Sequence, residues 1–82
     1  MPYITEDEKA QMALGQPPAT VGQLTYAITR ECNAYKARQG VLKFVTIAMV
    51  MGALICAALE FYRRVAVPYE NAKMAENGDV YS

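Results

Sequence analysis

Eighty-two residues with eight Lys or Arg, eight Asp or Glu and no His leave zero net charge and no imidazole. A chain of this size is one domain at most, buries only roughly 60% of its unfolded surface, and is marginal unless a disulfide, a metal or self-association adds stability. Histidine-dependent catalysis is excluded, and the two cysteines, Cys32 and Cys56, give zinc no ligand set.

Each cysteine falls in a different helical pattern. A disulfide between them is conceivable, but the opening MPYITEDEKAQ is acidic and polar, unlike a secretory leader. Two buried, reduced thiols in a cytoplasmic protein are therefore expected. Self-association is the remaining source of stability. Charge is segregated along the chain. Glu6, Asp7 and Glu8 outweigh Lys9 at one end, and Glu70, Glu76 and Asp79 outweigh Lys73 at the other. Between them Arg30, Lys36, Arg38, Lys43, Arg63 and Arg64 exceed Glu31 and Glu60. Acidic ends can pair with a basic centre within one chain or across a symmetric interface. The balance does not fit a duplex nucleic-acid surface, which carries a net basic stripe.

Residues 1–5 have no period, so an extended arm with Tyr3 and Ile4 as apolar pegs is expected. Thr5 followed by Glu8 spells a capping box, and the acidic first turn suits the helix dipole, so a short helix runs from Glu6 to about Leu14. Gly15 stops it, and GQPPA makes a turn. Thr20 with Gln23 repeats the capping pattern and opens a second helix, about Val21 to Gln39. Val21, Leu24, Ile28, Cys32 and Tyr35 form a seam of two per heptad. Thr25, Tyr26, Thr29 and Arg30 make a polar face beside it. Gly40 ends this helix and is expected to fold the next segment back antiparallel.

The third element, about Val41 to Ala66, dominates the chain. Phe44 to Leu59 contains no charge at all, and a helix apolar on every side needs cover from protein or from lipid. Gly52 costs helix stability unless a backbone comes close, so GALICAA reads as a close-packed crossing. Met12, Met49, Met51 and Met74 are expected to fill core. Pro68 removes a hydrogen bond to the Arg64 carbonyl, which predicts a kink or break at Val65–Val67. A short fourth helix from Tyr69 to about Glu76 follows, closed by Asn77 and Gly78, and Asp79 to Ser82 trail off as a tail that can dock on a neighbour.

Membrane span and buried core compete for the third element. The uncharged run falls between the length of a spanning helix and that of a core helix. Lys43 and Arg63–Arg64 can snorkel, yet the seam of the second helix needs something to pack on. The C-terminal stretch MGALICAALEFYRRVAVPYENAKMAENGDVY resembles a family of small, largely uncharacterised phage and bacterial proteins. The resemblance is carried by Tyr3 and Ile4, by Leu24, Tyr26, Ile28, Thr29 and Arg30, and by three C-terminal motifs: Glu60 to Arg64, Pro68 to Glu70, and Glu76 to Tyr81. Such relatives typically carry charged residues where this chain has Ile55 and Ala58. The resemblance implies a soluble, all-helical protein of phage or prophage type and implies no known chemistry.

The sharpest candidate cluster is Tyr62, Arg63 and Arg64 with Tyr69 and Glu70. Guanidinium forks match phosphate oxygens and tyrosines stack on bases, and a kinked helix would return Tyr69 towards the arginines. The competing reading is an ion-pair network, with Glu60 three and four residues before Arg63 and Arg64 and with Glu70 or Glu76 taking a guanidinium across an interface. Tyr26 and Arg30 could line the same pocket, and Asp79, Val80 and Tyr81 could be laid over a partner. With no histidine, no paired nucleophile and no Gly-rich phosphate loop, catalysis is not expected, nor is a cofactor or a metal.

The expectation is thus one all-α domain, residues 1–82. An N-terminal arm and short helix (1–19) precede an antiparallel helical hairpin whose arms are a helix (20–40) and an apolar helix (41–67) kinked near Pro68. A short helix and tail (68–82) complete it, and the chain assembles as a homo-oligomer. The expected role is non-enzymatic: binding a small anionic ligand, a nucleotide immune signal held by a phage anti-defence sponge, through Tyr62, Arg63, Arg64, Tyr69, Tyr26, Arg30 and Asp79. The expected location is the cytoplasm, that of the host cell if the chain is phage-encoded, with membrane association disfavoured. The alternatives are an adaptor that binds a host or phage protein, and a single-span membrane protein with its span at about Val41 to Tyr62.

Overall fold

A computed structural model describes residues 4–81, and every regular element among them is helical. The expectations placed on Tyr3 and Ser82 lie outside the described residues. The chain divides into two compact units, one ending at Thr46 and the other beginning at Ile47.

The first unit holds α1 (Glu6–Ala13) and α2 (Val21–Arg38). Thr5 starts α1 by the reciprocal pattern its sequence spells. Its hydroxyl accepts from the Glu8 amide at 3.2 Å, while the Glu8 carboxylate accepts from the Thr5 amide at 2.9 Å. Each bond satisfies a backbone donor that the helix itself leaves open. Leu14 caps the far end and Gly15 turns away with φ of 100°, a conformation in which a Cβ would be strained. Thr20 caps α2 by accepting from the Gln23 amide at 3.1 Å. The reciprocal arm is displaced by one residue: the Gln23 side-chain oxygen accepts from the Ala19 amide at 2.8 Å. The Gln23 amide nitrogen then donates to Glu8 at 2.8 Å, which ties the start of α2 to the first turn of α1.

Among the described residues of this unit, Ile4, Met12 and Thr46 are buried. The seam on α2 is not what α2 covers. Of its five residues Val21, Leu24, Ile28 and Tyr35 are exposed and only Cys32 is half-buried, while cover falls otherwise on Gly22, Gln23, Thr25, Tyr26 and Ala27. The polar face read from the sequence is therefore half covered at Thr25 and Tyr26, and most of the apolar seam stays exposed. Gly40, with φ of 83°, breaks the chain after α2. The next helix, α3 (Phe44–Phe61), starts three residues later than the hydrophobic pattern, because Val41 to Lys43 form a loop.

The second unit is nearly all one helix. From Phe44 to Asn77 the chain stays helical for 34 residues. Of the kink or break expected at Val65–Val67, the break does not occur: Tyr62–Ala66 form a π turn that leads directly into α4 (Val67–Asn77). The Val67 amide donates to the Tyr62 carbonyl, five residues back. Proline inside a helix clashes with the carbonyl four residues before it, and a π turn widens the backbone at that place. One extra residue per turn thus accommodates Pro68 without ending the helix. Gly78, with φ of 83°, closes α4, its amide donating to the Met74 carbonyl at 2.8 Å.

Almost nothing covers α3. Only Thr46, Val50 and Leu54, spaced four residues apart, are less than exposed. Phe44, Ile47, Met49, Met51, Ile55, Leu59 and Phe61 all stand open, so Met49 and Met51 do not fill core as expected; Met74 is also exposed, and of the four methionines only Met12 is buried. Cys56 is exposed as well, and Cys32 is half-buried; both are free thiols, in place of the two buried ones anticipated. A Cβ on Gly52 would meet no atom within 4 Å, so the close crossing predicted there is not made among the described residues.

Candidate functional site

The structure distributes the candidate residues over three places. In the first unit, Tyr26 sits half-buried on α2 with two cations beside its ring: Lys9 Nζ and the Arg30 guanidinium carbon, each 5.8 Å from the ring centre. Attraction of a cation to a ring face is worth roughly 0.5–1 kcal/mol at an exposed site, enough to hold side chains in place. Arg30 shares a helix face with Tyr26 and is visible in the sequence at a spacing of four. Lys9 arrives from α1 and was missed, since only the packing of α1 on α2 brings it there. Lys9 also pairs with Glu6 at 3.3 Å.

In the second unit, Glu60 takes both arginines. Its carboxylate meets Arg63 at 2.6 Å and Arg64 at 2.9 Å, the i+3 and i+4 spacing that the sequence offers. The two arginine side chains remain 70% and 74% exposed, so the trio presents one surplus positive charge and several N–H donors at the surface. Glu70 does not take a guanidinium. It accepts from the Tyr62 hydroxyl at 3.2 Å, a bond that spans the π turn, and its charge raises the Tyr62 pKa above the usual phenol value, with the hydrogen bond adding to the shift. Glu76 pairs with Lys73 at 3.7 Å. The ion-pair reading of this segment is therefore present within a single chain, without any partner.

Tyr69 is not folded back onto Arg63 and Arg64, because the helix runs on through Pro68. Five residues of helix, a rise of about 8 Å, separate it from Arg64. It stands instead at a third place, an open groove of about 490 Å³ between α4 and the C-terminal turn, lined among others by Tyr69, Lys73, Met74, Asn77, Asp79 and Tyr81. Lys73 Nζ lies 5.7 Å from the Tyr69 ring centre. The Asp79 carboxylate accepts from the Tyr81 amide at 2.8 Å and so shapes the turn that forms one wall. The tail expected to reach for a partner thus makes a surface of its own, with Val80 and Tyr81 exposed. Among the described residues no group of three His, Cys, Asp or Glu is placed to hold a metal.

A family model described as a domain of unknown function, DUF6899, matches residues 1–80. The chain belongs to the DUF6899 family. No curated protein and no solved structure matches it. Membership in DUF6899 brings no chemistry with it, so the reading of the three places rests on their geometry.

Proposed function

We propose that this DUF6899 chain is a non-enzymatic, phage-type homo-oligomer that binds and sequesters a small anionic ligand of the nucleotide class, working in the cytoplasm of a host cell. The C-terminal Glu-Phe-Tyr-Arg-Arg and Glu-Asn-Gly-Asp-Val-Tyr motifs are the basis for the phage-type assignment. In this reading α2 and α3 form an antiparallel hairpin about the Gly40 turn, and α3 packs against copies of itself.

The observation that carries the reading is the bareness of α3. Its most apolar 18-residue window has a mean hydropathy of 2.2 and is 6% buried. At about 25 cal/mol per Å² of apolar surface, leaving such a strip in water is too unfavourable for a chain this small. Copies of the chain provide cover that also accounts for the open α2 seam and for the space around Gly52. The ligand half of the proposal draws on Arg63 and Arg64, whose remaining donors face solvent, and on Tyr26 with Lys9 and Arg30. Both groups offer cations beside a phenol ring, the combination that suits a phosphate joined to a base.

Two measurements test it. Light scattering on detergent-free protein is expected to give a defined assembly of several chains. A monodisperse single chain removes the proposal, and recovery only in detergent points to a single membrane span instead. Calorimetry against a panel of mono-, di- and cyclic nucleotides is then expected to show binding, weakened about tenfold or more in the Arg63→Ala, Arg64→Ala double variant. No heat from any nucleotide, or unchanged binding in the variant, overturns the ligand half.

A further inference from the structure

The groove at the end of α4 has the wrong charge for the ligand proposed above. Glu70 and Asp79 stand in its lining against a single cation, Lys73, and that cation is engaged by Glu76. Glu70 accepts from the neutral Tyr62 hydroxyl, which does not cancel its charge. Tyr69 and Tyr81 add two ring faces, one of them already attracting an ammonium group at 5.7 Å. Carboxylates beside tyrosine rings in an open groove recognise cations, by ion pairing at the carboxylates and by the negative face of the ring.

Cations without carboxylate partners are present in the same chain. Among the described residues no ion pair engages Lys36, Arg38 or Lys43, all exposed, at the end of α2 and in the loop that follows. Residues 65–82 carry a net charge of −2, whereas from Asn33 to Lys43 every charged residue is positive. A protein of zero net charge that keeps its two signs apart in this way is self-complementary in pairs.

We infer that the acidic, tyrosine-lined groove formed by Tyr69, Glu70, Asp79 and Tyr81 docks the basic end of α2, Lys36 and Arg38, of a second copy of this chain. This rests on the self-assembly proposed above and reassigns Tyr69 and Asp79 from ligand binding to contact between copies. Each copy then offers one groove and one basic end, so the contact can repeat around a closed ring or be exchanged in a two-fold pair.

Charge reversal tests it in trans. The full-length Glu70→Lys, Asp79→Lys chain and the full-length Lys36→Glu, Arg38→Glu chain are purified separately, with circular dichroism confirming helix content. Each alone is expected to associate at least about tenfold more weakly than the parent in low salt, and an equimolar mixture is expected to recover the parent assembly. Should the reversed chains fail to fold, the Glu70→Gln, Asp79→Asn chain replaces the first, with association about as insensitive to 0.5 M salt as the parent's is sensitive. A parent that assembles while all variants assemble equally well overturns the groove contact and leaves the self-assembly standing. A parent that does not assemble removes both.

Discussion

The two units of this chain are stabilised by different means. In the first, α1 and α2 are tied by side chains far apart in sequence, Gln23 to Glu8, and the buried residues Ile4, Met12 and Thr46 lie there. In the second, the polar bonds among described side chains are local. Glu60 to Arg63 and Arg64, Tyr62 to Glu70, and Lys73 to Glu76 all lie within eight residues along one helix. Such pairs at the surface are worth a few tenths of a kcal/mol each, and a helix draws most of its stability from packing. The first unit thus contains the beginnings of its own core. The second leaves α3 exposed, and burial of that helix is what the proposed assembly would supply.

Lysines in α3 distinguish these two situations with the largest effect. Ile47 and Met51 are 46% and 52% exposed and one turn apart. In an isolated chain, Ile47→Lys with Met51→Lys costs little, within about 0.5 kcal/mol per surface site. In an assembly that covers α3 it buries unpaired ammonium groups, and association is expected to weaken by at least about 100-fold, roughly 3 kcal/mol. Sedimentation with circular dichroism reads both quantities, and unchanged assembly at unchanged helicity would show that this side of α3 meets no other chain. The matching change in the first unit is Met12→Ala. Met12 is buried, so removal of its side chain is expected to cost about 2 kcal/mol in urea unfolding, at the lower end for a methionine because so small a core relaxes readily. A loss below about 0.5 kcal/mol would mean that the first unit depends on assembly as heavily as the second.

How far the sequence reached follows the same division. The Thr5–Glu8 box, the stops at Gly15, Gly40 and Gly78, and the Glu60–Arg63–Arg64 pairs were legible, because each is decided by residues within one turn of helix. The ends of α1 and α2 fell within one residue for the same reason. What was not legible depended on events at longer range. The Gln23–Glu8 bond joins residues 15 apart, and Lys9 reaches Tyr26 only once α1 has packed on α2. The fate of Pro68 was also open, since a proline inside a helix can end it or can be absorbed by a wider turn, and local rules do not rank the two. The bare α3 was legible as an uncharged run, but composition does not say what covers it.

Acid provides the finest probe of the contrast, because it acts on the first unit through one named group. The Thr5 amide donating to Glu8, followed by the Gln23 side chain, holds the Glu8 carboxyl below its ordinary range. A carboxylate whose pKa is lowered by folding binds fewer protons folded than unfolded. Its contribution is therefore complete above the unfolded value of about 4.3 and is lost as pH falls through the lowered one. From Phe44 to Leu59 α3 carries no charged residue, and its single carboxylate, Glu60, stands in its last turn. Between pH 5 and pH 3, amide exchange in α1 is expected to accelerate before exchange in α3 does. Glu8→Gln keeps the shape of the side chain and removes the titration, so the α1 profile should flatten with pH. An α1 profile that keeps its slope in the Glu8→Gln chain would place the acid sensitivity on Glu6 or Asp7 and leave the tie between α1 and α2 independent of charge.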